Sequence, residues 1–417
     1  MEIFKKRRER LLEAIGGGSD DILVLFSGFE FPWQRFRPSS SAYYLTGIKE
    51  PAVCSVIDMK GTMTAYFPVY GADRGLWCGG HTINDSWWNE VGYADVQPLG
   101  DSVNGYTLHV SFLSNEVSAL LERLRKVVKR GGRILMAASV ENDGEFNQFL
   151  WLSRLIHLEP KFINWFGDVS GSVADLRCVK DEDEIKTIKK AVRSTVEGQK
   201  AAAKAIVPGK TETEIRAEIE REFVVNGSLD PAFPSIVASG KNSTVLHHSC
   251  FDSTLNSGEL VVVDVGAEFG FYAADLTRTY PVSGQFSERQ KEVYYAVLEA
   301  QMAVEEACKP GMFLKDELNK PKSLHHIACE TLSKYGLDKF FVHGVSHFFG
   351  LDVHDVGDVR NCLVPGCVLT IEPGVYIPEE GFGIRIEDNY LVTENGVERL
   401  SVDLPRGVGE IEEMISD

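Results

Sequence analysis

Two spacings of apolar residues alternate along the chain and predict the order of its helices and strands. Helical spacing in residues 2–15 predicts an amphipathic helix with Ile3, Phe4 and Leu11 on its apolar face, ended by the glycines at 16–18. Residues 1–170 are expected to form an α/β domain with a mixed sheet. The remaining elements predicted there are helices at 116–129 and 145–158 and strands at 21–27, 53–58, 63–67 and 133–138.

A second domain is expected from residue 175 to residue 417. Around residues 168–177 the apolar pattern breaks at glycine, serine and aspartate residues, which is typical of a domain boundary. The pairs Asp181 with Glu184 and Thr211 with Glu214 have the spacing of a capping box, so each predicts a helix start. Helices and hairpins then alternate in two similar halves, so this domain is expected to be α+β. Further helices are predicted at 287–309 and 315–335, with Pro321 either kinking the second or displacing its start.

Residues 259–280 have the pattern of a hairpin with an aspartate in each strand. If the turn centres between Phe269 and Gly270, antiparallel pairing places Asp264 directly opposite Asp275, with Cβ atoms roughly 4.5–5.5 Å apart. Two carboxylates that close repel each other, and a cation between them removes the conflict. The hairpin is therefore interpreted as half of a metal site. A register shifted by one residue would instead leave one aspartate in solvent.

Composition excludes some partners. The chain has 417 residues, of which 44% are hydrophobic and 25% charged, as in ordinary globular proteins. Its formal net charge of −18 predicts no nucleic-acid partner and no anionic membrane surface, since both repel it. No long apolar run is present, so no membrane span is expected. The eight cysteines include no CxxC pair, which predicts reduced, mostly buried thiols and a cytoplasmic location.

Histidines concentrate in the second half of the chain, in the same half as the acidic hairpin. His247 and His248 are adjacent, and His343, His347 and His354 lie in FVHGVSHFFGLDVHDVG. Glycines within that stretch disfavour a continuous helix, so helical spacing does not assign a role to each imidazole. A lone histidine is usually a packed or surface residue, whereas several in two short clusters favour a functional site.

Two glutamates extend the acidic set. Glu372 follows an apolar β-branched run, and alternation in GIRIEDN places Arg385 and Glu387 on one strand face. Each glutamate alone could be solvated. An oxygen-rich set with one imidazole favours Mn²⁺ or Mg²⁺-like ions, with Zn²⁺ and Co²⁺ as alternatives, and bridging carboxylates let five side chains hold two ions. The candidate ligands are Asp264, Asp275, His347, Glu372 and Glu387.

Several motifs, in the same order along the chain, resemble a known family. The stretches DVGAEFGFYAADLTRTYPVSG, HGVSHFFGLDVHDVG and LTIEPGVYIPEEGFGIRIEDN, with the tail LPRGVGEIEEM, are similar to the aminopeptidase P and prolidase branch of the pita-bread metallopeptidases. The match covers residues 175–417 almost continuously. FRPSSSAYYLTGIKEPAV resembles the creatinase-type N-terminal domain of that branch. The resemblance implies an α/β N-terminal domain followed by an α+β pita-bread catalytic domain.

The resemblance also implies roles for individual residues. It implies that the five candidate ligands bind two divalent ions, expected to be Mn²⁺, and that His247 and His354 contact the substrate around the scissile bond. His343 and Arg385 match further, substrate-binding positions, and Glu372 is expected to carry a proton as well as bind metal. The chain departs from the family at Val345–Ser346, where a small glycine is common, and in a short connection between residues 354 and 372.

The implied activity is that of a metal-dependent Xaa-Pro aminopeptidase, which cleaves before a proline in second position by a metal-bridged hydroxide. The expected partners are peptides of that kind, and the expected assembly is a homodimer or homotetramer. An Xaa-Pro dipeptidase (prolidase) is the nearest alternative. A metal-free hydrolase of the creatinase type or a non-catalytic binding relative is disfavoured, because all five ligand positions are filled.

Overall fold

The computed structural model describes residues 2–31, 33–109, 112–139, 143–250 and 252–416. The chain divides into two compact units, residues 1–177 and residues 178–417.

The first unit is built on a six-stranded sheet, which is mixed as the apolar pattern predicts, and its strands at Asp95–Ser102 and Phe166–Asp168 lie outside the predicted ones. The strand order is β4-β3-β2-β1-β5-β6, with β1–β2 and β2–β3 antiparallel and the pairs β3–β4, β1–β5 and β5–β6 parallel. The strands are β1 (Ile22–Phe26), β2 (Cys54–Asp58), β3 (Met63–Val69), β4 (Asp95–Ser102), β5 (Ile134–Met136) and β6 (Phe166–Asp168). The helices are α1 (Glu2–Ile15), α2 (Ser40–Thr46), α3 (Arg74–Trp77), α4 (Trp87–Glu90), α5 (Ser118–Lys129), α6 (Phe146–Leu158) and α7 (Ser170–Cys178).

A buried ionic cluster fixes the segment that includes α2. Glu145 is 3% exposed and accepts hydrogen bonds from Ser39 Oγ and Ser41 N, each at 2.8 Å. Arg177, which is 1% exposed, donates to the same carboxylate at 2.7 Å. A buried charge pair is tolerated only when hydrogen bonds saturate both partners, and this one is nearly saturated.

The second unit consists of small antiparallel sheets covered by long helices. Its sheets have the strand orders β11-β8-β7, β12-β15-β16, β13-β14 and β10-β9. The strands are β7 (Ile236–Ser239), β8 (Leu260–Val265), β9 (Glu268–Phe269), β10 (Tyr272–Ala273), β11 (Leu276–Pro281), β12 (Val368–Ile371), β13 (Gly374–Ile377), β14 (Phe382–Arg385), β15 (Asp388–Val392) and β16 (Val397–Arg399). The helices are α8 (Glu182–Ala205), α9 (Glu212–Val225), α10 (Glu288–Ala307), α11 (Leu324–Ser333) and α12 (Val408–Ser416).

The helix starts follow their capping signals. Asp181, Thr211 and Ser287 accept hydrogen bonds from the first turns of α8, α9 and α10, so the two predicted capping boxes are confirmed. The predicted helix at 315–335 begins only at Leu324, after a short 3₁₀ turn that contains Pro321. The proline has therefore displaced the start of the helix rather than kinked it.

The hairpin of residues 260–281 forms, but its register differs from the predicted one. Asp264 pairs with Thr277, not with Asp275, because the turn lies at Gly270 and Phe271, which both have positive φ. The prediction of direct opposition is therefore wrong by two residues. A two-residue shift keeps side chains on their original face, so both aspartates still point to the same side. Gly266 allows the strands to approach, since a Cβ there would lie 1.8 Å from the Ala274 carbonyl oxygen.

Backbone hydrogen bonds bring distant segments to this hairpin. Glu387 N donates to the Thr277 carbonyl at 3.1 Å, which joins the residue between β14 and β15 to β11. Glu372 N donates to the Val345 carbonyl at 2.8 Å, and Thr370 N donates to the His347 carbonyl at 3.0 Å. The histidine-rich segment therefore lies along β12 and its continuation, next to the acidic hairpin.

The cysteines differ in burial. All eight cysteines are free; Cys54, Cys308 and Cys367 are buried and Cys78, Cys250 and Cys362 are exposed, so the expectation of mostly buried thiols holds for only part of the set. In the part of the chain that the structure describes, no helix combines the length and apolar character that a membrane crossing requires.

Candidate metal centre

One cavity of about 280 Å³ in the second unit collects every residue that the sequence singled out for the site. Its walls also include Leu246, Gly344 and Ser346. Ser346 is the residue that departs from the family pattern, and it is accommodated beside the histidines. The predicted residues that line the cavity are His247, Asp264, Asp275, His343, His347, His354, Glu372, Arg385 and Glu387.

The two hairpin aspartates each present a free oxygen to the cavity. Asp264 Oδ1 and Asp275 Oδ1 are buried and have no hydrogen-bond partner among the described residues. The other oxygen of Asp264 accepts a hydrogen bond from Arg385 Nη2 at 2.6 Å. A buried, unpaired carboxylate oxygen is costly, and a cation would satisfy both oxygens at once.

Asp275, His347 and Glu387 offer ligand atoms that all lie within 4.8 Å of one another. His347 Nε2 is 3.4 Å from Asp275 Oδ2 and 3.6 Å from Glu372 Oε1. The other ring nitrogen of His347, Nδ1, donates to the Phe348 carbonyl at 3.1 Å. That bond places the proton on Nδ1 and leaves the Nε2 lone pair free for a metal, as is usual for histidine ligands.

Hydroxyl groups orient the two glutamates. Thr277 Oγ donates to Glu387 Oε2 at 2.7 Å, and Thr370 Oγ lies 3.5 Å from Glu372 Oε1. Both threonines are buried in the strands β11 and β12. Each carboxylate therefore keeps a second oxygen that can face the cavity.

Burial and mutual repulsion raise the pKa values of three carboxyl groups in the acidic cluster. Burial, and next the charge of Asp264, raise the pKa of Asp275 well above its usual range, and burial followed by Asp275 does the same for Glu387. Burial also raises the pKa of Glu372. A divalent cation among these groups would reverse the shifts, because it stabilises their charged forms. The donor set, the free oxygens and the charge balance all fit bound cations.

Tyr376 connects the cationic and neutral parts of the cavity wall. Its hydroxyl accepts from Arg385 Nη1 at 2.7 Å and lies 2.9 Å from His343 Nε2. His343 Nδ1 donates to the Gly344 carbonyl at 2.7 Å, so its Nε2 accepts the tyrosine proton. Burial, and next the charge of Arg385, lower the pKa of His343 to about 4. His343 is therefore neutral near pH 7.

The remaining predicted residues lie at the rim. The imidazole of His354 stacks on that of His347, with ring centroids 4.1 Å apart. His247 lines the cavity and is solvent-exposed. Sequence reasoning did not identify Tyr376 or Thr277 as part of the site. Thr277 in β11 lies two residues after Asp275, which directly precedes that strand, and this spacing could have indicated a shared face.

The cavity gathers four carboxylates and one histidine on β8 and in the loops beside the other strands, a donor set that fits a metal-dependent hydrolase of the pita-bread fold. Residues 186–394 match Metallopeptidase family M24, and residues 4–107 match the domain described as "Aminopeptidase P, N-terminal domain". The chain belongs to this metallopeptidase family.

Relatives of two kinds are similar to this chain. A Xaa-Pro aminopeptidase of Haemophilus influenzae is 37% identical over 100% of this chain and 97% of the relative. A Xaa-Pro dipeptidase of Pyrococcus furiosus is 40% identical over 58% of this chain and 68% of the relative. Among solved structures, Pseudomonas aeruginosa aminopeptidase PepP superposes with a TM-score of 0.82 at 26% identity, covering 99% of this chain and 97% of that one. Both predicted fold classes are confirmed.

Proposed function

We propose that this protein is a metal-dependent Xaa-Pro aminopeptidase, which releases the N-terminal residue from peptides with proline in second position. The observation that carries the proposal is one cavity in which the five proposed ligands meet three further histidines and Arg385. The unpaired oxygens Asp264 Oδ1 and Asp275 Oδ1 support the proposal that cations bind in this cavity. The full-length similarity to Xaa-Pro aminopeptidases supports the substrate class.

We propose two divalent ions, Mn²⁺ first and Zn²⁺ or Co²⁺ as alternatives. The oxygen-rich donor set supports hard ions, and one related structure is described as a zinc-substituted aminopeptidase P of Escherichia coli with product. When bound, such ions polarise a carbonyl group and lower the pKa of water. Their proposed ligands are Asp264, Asp275, His347, Glu372 and Glu387.

The chain's own residues bind the peptide and move the proton. Glu372 takes a proton from the attacking water and delivers it to the leaving proline nitrogen. His354 and His247 donate hydrogen bonds to the scissile carbonyl as its oxygen gains negative charge. The proline nitrogen has no N–H, so the site needs no acceptor for one there. The acidic cavity suits the free α-amine of the substrate.

We also propose that His343 and Arg385 contact the substrate. His343, neutral and hydrogen-bonded to Tyr376, is proposed to form part of the wall that contacts substrate. Arg385 is 4% exposed and already contacts Asp264 and Tyr376. We propose that Arg385 contacts the substrate while it keeps its hydrogen bond to Asp264.

Hydrolysis of matched peptides tests the activity. The purified protein, stripped of metal and then supplied with Mn²⁺, is expected to cleave Ala-Pro-Yaa at the Ala-Pro bond and to leave Ala-Ala-Yaa intact. Zn²⁺ and Co²⁺ are supplied in parallel. Equal cleavage of both peptides, or none with any of the three ions, would overturn the proposal.

Assembly and location are two further proposals. We propose a homodimer or homotetramer, supported by large apolar side chains exposed on the first unit, Leu76 at 88% and Trp77 at 65%. A cytoplasmic location is supported by the eight free thiols. Light scattering of the purified protein measures the assembly, and fractionation of the source cells tests the location.

A further inference from the structure

The described residues of the segment 246–252 form no helix or strand, and this segment carries His247 to the cavity. His247 is exposed, and its side chain makes no hydrogen bond to any described residue. Ser249, Cys250 and Asp252 are exposed as well. Within the described part of this segment, His248 is the one buried residue. The position of the His247 imidazole therefore depends on whatever holds its neighbour.

A buried carboxylate holds that neighbour. His248 Nε2 lies 3.0 Å from Glu212 Oε2, and Glu212 is 0% exposed. A carboxylate can only accept, so the imidazole donates from Nε2 and its tautomer is defined. Glu212 is the first residue of α9, where the helix dipole favours a negative charge.

The same carboxylate is bonded to the sheet beneath the cavity. Glu212 Oε1 accepts from Ser239 N at 2.7 Å, from Ser239 Oγ at 2.9 Å and from Asn242 Nδ2 at 3.0 Å. Ser239 ends β7 and pairs with Val261 of β8, the strand that carries Asp264. The Glu212 carboxylate thus connects the hairpin that carries Asp264 to His248, the residue next to His247.

We infer that Glu212 and His248 form a positioning pair that holds His247 at the scissile bond. Neither residue lines the cavity, so the pair acts through His247 and not by touching substrate. This inference rests on the proposed function, in which His247 contacts the substrate. A displacement of about 1 Å in a group at the scissile bond can lower the rate about 100-fold. Because His248 is adjacent to His247, its hydrogen bond to Glu212 is therefore expected to affect the rate.

Kinetics of His248 variants test the inference. His248→Met fills the space without a donor and is expected to lower kcat/KM on Ala-Pro-Yaa about 10- to 100-fold, with bound metal unchanged. His248→Gln keeps a donor for Glu212 and is expected to restore most of the activity. His326→Met is the matched control, because His326 also pairs with a glutamate, Glu317, at 3.1 Å but is not adjacent to a residue that lines the cavity. The control is expected to keep the parent kcat/KM.

A double-mutant cycle separates positioning from a general structural role. In a His247→Ala background, His248→Met should reduce kcat/KM by less than about twofold, because the group it positions is already gone. Losses that simply multiply would show that His248 does not act through His247 and would overturn the inference. Glu212→Gln, which presents an amide to His248, is expected to follow His248→Met in both backgrounds.

Crystal structures decide the inference independently of activity. In His248→Met the His247 ring should leave its place in the cavity, while Asp264 and His347 stay where they are. An unmoved His247 ring would overturn the inference. If the parent cleaves no Xaa-Pro peptide, the proposed function fails, but the position of His247 in these crystals still tests the positioning pair.

Discussion

At the residue scale, the chemistry of the cavity is set by carboxylates that repel one another until a cation joins them. Asp275 takes part in this conflict, since it is buried beside Asp264 and its Oδ1 has no partner among the described residues. Arg385 offsets part of the charge through Asp264, and its own pKa is raised well above the usual range although burial alone lowers it. Substitutions here therefore change metal binding and stability in opposite directions.

Asp275→Asn tests this balance. The variant is expected to lose at least one bound ion and to lower kcat/KM more than about 100-fold, because a ligand matters at least as much as the groups that orient ligands. The raised pKa means that the metal-free parent loses stability as pH rises and Asp275 must ionise. Metal-free Asp275→Asn should then be at least as stable as the metal-free parent at pH 7.

Metal analysis, peptide hydrolysis and thermal unfolding with and without metal measure these effects. Asp403→Asn, an exposed residue outside the cavity, serves as the control. Mn²⁺ should raise the Tm of the parent and the control, because binding to the folded state alone stabilises it. A metal-free parent with full activity and an unchanged Tm would contradict the metal site.

The stacked histidines are expected to separate by role. His347→Ala should reduce metal content, because Nε2 faces Asp275 and Glu372. His354→Ala should leave metal content unchanged and lower kcat at least about tenfold, as expected for a group that assists the transition state. Equal metal loss in both variants would show that the division of roles is wrong.

Which of these residues a sequence can reveal depends on how unusual they are in a strand. Aspartate and glutamate within apolar runs conflict with local propensity, and this conflict identified Asp264, Asp275 and Glu372. Thr277 and Tyr376 suit strands well and produce no such conflict. Their contacts with Glu387 and His343 depend on the fold. A sequence pattern does not report those contacts.

At the element scale, caps and turns decide where the functional side chains point. The hairpin register follows from two left-handed residues, and the sequence showed a reason for only one of them, Gly270. Phe271 also has a φ of 71°, which is uncommon for an aromatic residue. The displaced start of α11 followed from Pro321, which forced a choice between a kink and a later start.

The cap of α9 offers a test at this scale, because this helix begins with Glu212. Glu214 donates its N–H to Thr211 Oγ at 3.2 Å, and its carboxylate accepts from Lys210 and Thr211. Thr211→Ala is expected to reduce the free energy of unfolding by about 1 kcal/mol. Urea unfolding of the variant and the parent measures this change.

The same cap predicts a pH dependence. The Lys210 side chain, and next Thr211, lower the pKa of Glu214 to about 2. A lowered carboxyl pKa contributes stability that is complete above the unfolded value of about 4.5 and is lost as pH falls toward 2. The stability difference between the parent and Glu214→Gln should therefore shrink between pH 5 and pH 3. A difference that stays constant over that range would contradict the role of the charge.

At the scale of the whole molecule, the relatives differ in how much of the chain they match. Xaa-Pro aminopeptidases of Haemophilus influenzae and Escherichia coli match 99–100% of it, whereas the archaeal dipeptidases match 57–58% and Xaa-Pro aminopeptidase 1 of Streptomyces matches 58%. The apolar pattern predicts a boundary around residues 168–177, and the chain divides into two compact units after residue 177. All five proposed metal ligands belong to the second unit.

Substrate length is the property that distinguishes an aminopeptidase from a dipeptidase. A dipeptide-only enzyme must neutralise the proline carboxylate within the site. Arg385 is the cation on the cavity wall, and its guanidinium is occupied by Asp264 Oδ2 and the Tyr376 hydroxyl. With that cation engaged and the connection between residues 354 and 372 short, a longer peptide is favoured over a free carboxylate.

Xaa-Pro-Yaa peptides are therefore expected to be cleaved with a kcat/KM at least about tenfold above that of Xaa-Pro dipeptides, which corresponds to about 1.4 kcal/mol of transition-state binding. The measurement compares Ala-Pro, Ala-Pro-Ala and Ala-Pro-Ala-Ala with Mn²⁺ present. Ala-Pro-amide is the control, because it lacks the carboxylate without adding a residue. If the amide matches the tripeptide, the carboxylate itself is what the site rejects. Ready hydrolysis of Ala-Pro with no cleavage of the longer peptides would instead establish a dipeptidase.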